Sequence, residues 1–232
     1  MSQDMKKHIP NCLSILNLSS GAIGTLLALN GHLIDAAYSI LIGACFDFLD
    51  GFTAKLLRAQ SAFGKQLDAL ADLITFGMVP AAILYRLMQT YESCPYRPYI
   101  ALFIVVFAAL RLAKFNVDPK QVGQFIGLPT PANAILVATL PLMLQRALYP
   151  CLVNGLTQPM VLPLLTMLLA YLLVANIPFM ALKFQGVSFQ ANRARYVCIV
   201  LCTLLIGTMH VEGLFLSLWL YILHALYKTK IR

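Results

Sequence analysis

Four aspartates lie close together in a chain that is otherwise strongly apolar. Asp47, Asp50, Asp68 and Asp72 are among only 9 acidic residues in a sequence that is 60% hydrophobic. A carboxylate at membrane depth costs at least ~2.5–3.5 kcal/mol on insertion scales, so such residues usually face a polar cavity and act there. Neighbouring negative charges also repel one another, and a bound divalent cation relieves that repulsion. The pattern therefore predicts metal-dependent chemistry within a membrane.

The spacing of these acids predicts two pairs on neighbouring helices. Asp47 and Asp50 are three positions apart, and Asp68 and Asp72 are four apart. Residues at these separations share one face of a helix. The segment 56–64 is short enough to join the two helices as a hairpin. We therefore expect the four carboxylates to converge near one end of the pair.

Small residues beside the acids indicate room for a bulky group. Gly51 and Ala54 continue the face of the first pair with almost no side chain. An oxygen-only ligand set, with no Cys or His nearby, favours Mg²⁺ or Mn²⁺ over zinc. The competing interpretation is that these are unrelated acids at helix ends, paired with Lys55, Arg58 and Lys65.

The elements that position these residues are predicted to be membrane-spanning helices. Only 11% of residues are charged, against roughly 25% in soluble domains, and apolar runs of spanning length recur along the chain. We predict an all-α integral membrane protein, one polytopic domain over residues 1–232, with a catalytic core at about 9–182 and the last two helices at 194–228. The eight predicted helices are 11–29, 34–57, 65–88, 98–115, 131–148, 160–182 and two within 196–227, divided at 210–213.

The basic residues predict the orientation of the helices. Of the 17 Lys and Arg residues, only Arg86, Arg97 and Arg146 fall on one side when the chain crosses the membrane eight times. By the positive-inside rule both termini are cytoplasmic, and the acidic cluster lies at the cytoplasmic end of helices 2 and 3. The net charge of +8 is spread over helix ends, without a basic patch interleaved with aromatic residues, so nucleic acid is not an expected partner.

Two of the six cysteines fall in predicted loops on the non-cytoplasmic side, Cys94 and Cys151. A disulfide between them is one alternative in an oxidising compartment. Two free thiols are the other, and the one we favour.

The acidic segment resembles the signature of the CDP-alcohol phosphotransferases, Asp-x2-Asp-Gly-x2-Ala-Arg-x8-Gly-x3-Asp-x3-Asp. One position departs from it, because Lys55 stands where the family usually has Arg. Lys keeps the positive charge but loses the bidentate geometry of a guanidinium group. The matching residues, all at the family's spacing, are Asp47, Asp50, Gly51, Ala54, Gly64, Asp68 and Asp72.

Further segments resemble the bacterial phosphatidylserine synthases of this family, at residues 9–14, 17–18, 75–81, 111–116 and 127–133. This resemblance implies transfer of a phosphatidyl group from CDP-diacylglycerol to the hydroxyl of L-serine, with release of CMP. It also implies a homodimer in contact with membrane lipids, in the inner membrane of a bacterial cell. Direct in-line displacement is expected, since no residue pattern indicates a covalent intermediate.

The resemblance also implies roles for individual residues. Asp47, Asp50 and Asp68 would hold the Mg²⁺ or Mn²⁺, and Asp72 would be the general base and a further metal ligand. The nucleotide pocket would be lined by Gly51, Ala54, Lys55 and Gly64. The lipid phosphate or the serine carboxylate would be held by Arg111, Lys114 and Asn116, although the two cations also suit ordinary anchoring at a helix end.

Two alternatives remain open from the sequence. One keeps the family but replaces serine by glycerol 3-phosphate or inositol phosphate, whose phosphate Arg111 and Lys114 could bind. The other is a cation or proton transporter that uses the intramembrane acids. Transporters often repeat their broken helices in both halves of the chain, whereas the acids here occupy one helical pair.

Overall fold

Helices make up almost all of the computed structural model, which describes residues 3–59, 61–91, 94–117, 125–179 and 189–230. A π-helical segment, Leu73–Met78, joins α3 to α4, and a 3-10 turn, Arg97–Ala101, precedes α5. The helices are α1 Gln3–Leu29, α2 Leu33–Leu56, α3 Ala62–Asp72, α4 Val79–Tyr91, α5 Leu102–Val117, α6 Thr130–Arg146, α7 Pro150–Leu156, α8 Val161–Val174 and α9 Phe189–Lys230.

The β structure within these described ranges is one short antiparallel pair. Strand β1, Phe125–Ile126, pairs with β2, Pro178–Phe179. This pair joins the segment before α6 to the segment after α8. The all-helical prediction therefore holds for every long element that the structure describes.

Helices α1 and α2 form an antiparallel hairpin. They are joined by a tight turn at Gly31, whose φ of +88° is a conformation that residues with a Cβ rarely adopt. The following unit, α3 to α4, runs from Ala62 to Tyr91 as one long helix through the π-helical segment. Its α3 end packs against α1, and the acids on α3 approach those on α2.

The core lies between α4 and α6, which are the most buried helices. Ile83, Leu84, Leu136 and Leu140 are all fully buried. Large apolar side chains on α1, α5 and α8 point outward and are exposed. An apolar outer surface is what a helix bundle presents to lipid.

Within the described part of the chain, four helices are long and apolar enough to span a membrane: 8–29, 62–91, 97–117 and 201–227. A fifth candidate exists if α7 and α8, which are bent by 79°, count as one broken span. Helix α6, at 17 residues, is shorter than these four. The count of eight spans and the positions of both termini remain predictions.

The predicted break in the last apolar stretch is confirmed. His210 has φ 52° and ψ −113° inside α9, so two helices meet there at a kink. A Cβ on Gly213 would collide with the carbonyl oxygen of Leu205, so only glycine permits this close approach. The last stretch is therefore a pair of helices, as the sequence predicted.

The predicted end of the sixth helix was wrong. We expected this helix to extend to residue 182, but α8 ends at Val174. Pro178 lacks a backbone N–H, and its ring disfavours helical geometry at Ile177 before it. The chain enters β2 instead, and residues 180–182 lie outside the described part of the structure.

The segment between α6 and α8 contains a helix where the sequence predicted a loop. It contains α7, and Cys151 lies in this short helix and not in a loop. Both Cys94 and Cys151 are free thiols in the structure.

Candidate active site

Three of the four predicted acids converge. One carboxylate oxygen from each of Asp47, Asp50 and Asp68 lies within 4.8 Å of the others. Asp50 is only 5% exposed, and the other two are partly buried. Helix α1 packs against both α2 and α3, and the acids of the two helices meet beside it.

Asp72 lies one turn further along α3, outside that group of three. Its Oδ1 accepts a hydrogen bond from Nδ2 of Asn17 at 3.2 Å. Asp72 also interacts electrostatically with Arg111 of α5. The fourth acid is therefore held by an amide, and it interacts both with a cation and with the other three acids.

Helix α1 supplies a polar face that the sequence analysis did not assign to the site. Ser14 donates from Oγ to Asp50 Oδ2 at 2.7 Å, and Asn17 donates to Asp72. Asn11 lies on the same face, three residues before Ser14. The sequence does indicate this face, because Asn11, Ser14 and Asn17 recur at every third position of a largely apolar segment.

Close packing holds Asn17 in position. Oγ1 of Thr75, in the π-helical segment, donates to the backbone oxygen of Asn17 at 2.9 Å. A Cβ on Gly43 of α2 would lie 2.9 Å from Oδ1 of Asn17. Single-turn π-helical segments are frequent at functional sites, and this one follows Asp72 directly.

A cavity of about 610 Å³ opens beside the acidic group. Ser61, in the turn before α3, caps that helix by accepting a hydrogen bond from the Gly64 N–H at 2.9 Å. A Cβ on Gly51 would meet no atom within 4 Å, so this residue borders open space. The residues lining the cavity are Pro10, Asn11, Ser14, Asp50, Gly51, Ala54, Ala59, Ser61, Ala62, Gly64, Lys65 and Asp68.

The predicted nucleotide-binding residues fall into two groups. Gly51, Ala54 and Gly64 line the cavity. Lys55 is exposed at the end of α2 and is not among the residues described as lining it. Lys65 does line it, and its Nζ donates to the backbone oxygen of Asn116 at 3.4 Å. Lys65 therefore supplies a positive charge to the wall of this space, a role that the sequence did not predict.

The predicted phosphate or carboxylate residues on α5 are also divided. Nη1 of Arg111 donates to Oγ1 of Thr130 at 3.3 Å, near Asp72. Lys114 is exposed in the last turn of the helix. The contribution of Asn116 is its backbone oxygen, which accepts from Lys65. Of these three, Arg111 is the one that faces the acids.

The acidic group has the chemistry of a divalent metal site. All three residues offer hard oxygen ligands, which Mg²⁺ and Mn²⁺ prefer. Oδ1 of Asp68 is buried, and no hydrogen-bond donor reaches it from the described residues. A buried carboxylate oxygen without a donor is costly, and a cation between the three carboxylates would satisfy it. The residues present therefore fit a metal ion of this class.

Comparison with known families agrees with this geometry. A model of the family described as CDP-alcohol phosphatidyltransferase matches residues 7–177. That range includes every element that lines the cavity. It ends just before β2 and leaves α9 outside.

Several proteins with assigned names are similar to the chain. A CDP-diacylglycerol–serine O-phosphatidyltransferase of Helicobacter pylori is 28% identical over 213 residues, 91% of this chain and 87% of that protein. The Bacillus subtilis protein of the same name is 33% identical over 175 residues, 74% of this chain and 89% of that protein. An archaetidylserine synthase of Methanothermobacter thermautotrophicus is 35% identical over 133 residues, which is 56% of each chain. The matched range, the acids it contains and the cavity beside them lead to one conclusion: the chain belongs to the CDP-alcohol phosphatidyltransferase family.

Proposed function

We propose that this protein transfers the phosphatidyl group of CDP-diacylglycerol to the hydroxyl of L-serine and releases CMP, in a metal-dependent reaction. The observation that carries the proposal is the convergence of Asp47, Asp50 and Asp68 beside a cavity of about 610 Å³. Relatives whose names specify serine as the acceptor are aligned over most of their length, so serine is the proposed acceptor. Membership of the CDP-alcohol phosphatidyltransferase family also argues against the transporter alternative.

The cavity is the proposed site for the cytidine diphosphate group. Its walls near Gly51, Ala54 and Gly64 carry little side-chain bulk, so a nucleotide can approach the backbone of α2 and α3. Lys65 offers one positive charge to the diphosphate. A divalent cation held by Asp47, Asp50 and Asp68 would neutralise the diphosphate and the departing CMP.

Asp72 is the proposed general base. The serine oxygen attacks the β-phosphorus, the bond from that phosphorus to the CMP oxygen breaks, and the serine proton passes to Asp72. The hydrogen bond from Asn17 occupies one side of Oδ1, so it fixes the direction of the remaining lone pairs. Phosphoryl-type transfer depends mainly on such positioning and on charge neutralisation.

We further propose that the site faces the cytoplasm of the cell and that the protein functions as a homodimer. Lys65 and Lys114 lie at the site end of the bundle, near the α2–α3 turn. Arg86 lies at the other end, against the turn between α1 and α2. This distribution supports the orientation predicted from the positive-inside rule.

A panel of acceptors tests the proposed function. Purified protein in detergent is incubated with CDP-diacylglycerol and Mg²⁺ or Mn²⁺, and CMP release is measured with serine, glycerol 3-phosphate, inositol phosphate or no acceptor. We expect release that requires both serine and the metal. Release with another acceptor alone would replace the substrate, and a covalent lipid–enzyme adduct trapped without acceptor would contradict direct displacement.

A further inference from the structure

Asn133, near the start of α6, is a buried amide whose side chain has no partner within the described structure. The residue is 0% exposed, and neither its Nδ2 nor its Oδ1 has a hydrogen-bond partner. Buried polar atoms are nearly always paired, and an unpaired one lowers stability. An apolar side chain of similar size would avoid this loss. The residue therefore suggests a role that requires the amide.

Two residues, Thr130 and Arg111, connect the start of α6 to the acids of the site. Thr130 lies one helical turn earlier on the same face of α6, and its Oγ1 accepts from Nη1 of Arg111 at 3.3 Å. Nε of Arg111 is also buried and unpaired. Arg111 interacts in turn with Asp72, whose partner Asn17 has a buried and unpaired Oδ1. Unpaired polar atoms thus occur on α6, on α5 and on α1, and the residues on α5 and α1 interact with the proposed base.

These unpaired atoms are of two chemical kinds. Nε of Arg111 and Nδ2 of Asn133 are donors that an anion could accept from, while Oδ1 of Asn133 and Oδ1 of Asn17 are acceptors that suit a cation. An α-amino acid carries a carboxylate and an ammonium group a short distance apart. A phosphate-bearing acceptor such as inositol phosphate brings an anion but no cation for the two carbonyl oxygens.

We propose that Asn133 and Arg111 form the subsite that recognises the amino-acid acceptor, with Arg111 binding the carboxylate and Asn133 accepting a hydrogen bond from the ammonium group. This assignment rests on the proposed function, because it takes serine as the acceptor. It deepens that function by assigning specificity to α6, away from the α2–α3 hairpin that holds the metal ligands. Asp72, which interacts with Arg111, then lies beside the acceptor whose hydroxyl proton it takes.

The variant Asn133→Leu tests the subsite, because it removes both unpaired atoms and keeps the branched arrangement of side-chain heavy atoms. A merely structural Asn133 predicts a protein of equal or higher thermal stability with unchanged kinetics. The proposed subsite predicts the same stability, but a KM for serine raised roughly ten- to hundredfold, as for loss of a hydrogen bond to a charged group. The KM for CDP-diacylglycerol should stay within about twofold. Thr139→Val is the matched control, since Thr139 is also buried on α6 but bonds within its own helix.

Acceptor analogues give a second test that needs no variant. 3-Hydroxypropionate lacks the ammonium group of serine, and ethanolamine lacks the carboxylate. We expect each to support CMP release at least about tenfold less efficiently than serine in the wild-type protein. In Asn133→Leu, the KM for serine should approach that for 3-hydroxypropionate, which should itself change little. Equal use of all three compounds by the wild-type protein would overturn the assignment.

The outcomes separate this inference from the proposed function. If wild-type CMP release depends on serine but Asn133→Leu keeps the wild-type KM for serine, the subsite assignment alone is wrong. If the wild-type protein releases CMP only with another acceptor, the proposed function fails, and the amino-acid subsite fails with it.

Discussion

Asn17 and Asp72 are joined by a hydrogen bond of 3.2 Å between Nδ2 and Oδ1, across 55 positions of the sequence. Asn17 lies on the first helix, and Asp72 ends the helix that carries two of the site acids. The amide can donate to the carboxylate without competing for its proton. The first helix therefore contributes side chains to the proposed catalytic site.

Loss of this hydrogen bond should slow turnover. In Asn17→Ala the carboxylate of Asp72 is free to rotate, so we expect kcat at saturating serine to fall about 10- to 100-fold. The KM for CDP-diacylglycerol should change little, because Asn17 does not line the nucleotide cavity. Ser20→Ala is the control, since Ser20 lies on the same helix and bonds to the backbone of Ser39 away from the acids. An unchanged kcat in Asn17→Ala would show that Asp72 needs no orienting partner.

Neutralising one acid of the group should abolish the rise in thermal stability that a bound metal ion gives. In the wild-type protein, Mg²⁺ or Mn²⁺ at 100 times its Kd should stabilise the fold by about 2.7 kcal/mol, seen as a rise in Tm. Asp68→Asn removes one ligand and one repelling charge. We expect its metal-free Tm to match or exceed the wild-type value, with no further rise on adding metal and no activity. A metal-dependent rise in Tm that survives this substitution would place the metal elsewhere.

The Ser14 hydroxyl should tune metal affinity. Its hydrogen bond to Asp50 is 2.7 Å long and buried, so it holds one carboxylate oxygen in a fixed direction. Groups that orient metal ligands typically contribute 10- to 100-fold to affinity. We therefore expect Ser14→Ala to require about tenfold more Mn²⁺ for half-maximal activity. Ser19→Ala is the control, because Ser19 is exposed and bonds only to its own helix.

Filling the cavity at Gly51 should block the nucleotide without harming the fold. A Cβ there meets no atom within 4 Å, and Leu is favoured over Gly in a helix by about 0.5–1 kcal/mol. We expect Gly51→Leu to keep or raise Tm while the KM for CDP-diacylglycerol rises at least about tenfold. Gly207→Leu is a matched control, since Gly207 also borders open space but lies on α9. Normal affinity for CDP-diacylglycerol in Gly51→Leu would move the nucleotide out of this cavity.

The two pairs of acids could be predicted from the sequence, because the spacing within each pair is local. Asp47 and Asp50 share one face through helical periodicity alone, and so do Asp68 and Asp72. The short connection keeps the two helices at one end of the bundle, where both pack against α1 and their acids meet. The same local reasoning located the kink at His210, where a polar interruption divides a stretch too long for one span.

The contacts of the first helix with the acids could not be predicted from sequence. Which acid each polar residue of α1 meets depends on the rotation of α1 against α2 and α3, and close contacts such as that of Gly43 with Asn17 set this rotation. The end of α8 was missed for a related reason: hydrophobicity continues past Val174, but Pro178 and the pairing of β2 with β1 stop the helix.

The most direct test of the proposed reaction measures two products in one assay. Purified protein is supplied with CDP-diacylglycerol, serine and Mg²⁺ or Mn²⁺, and CMP and phosphatidylserine are quantified together. We predict equal amounts of both products, none without metal, and a rate lowered about 10²- to 10⁴-fold in Asp72→Asn, as for loss of a general base. Asp35→Asn, a substitution of an exposed acid at the other end of α2, should leave the rate unchanged. CMP formed without phosphatidylserine, or full activity in Asp72→Asn, would contradict the proposed reaction.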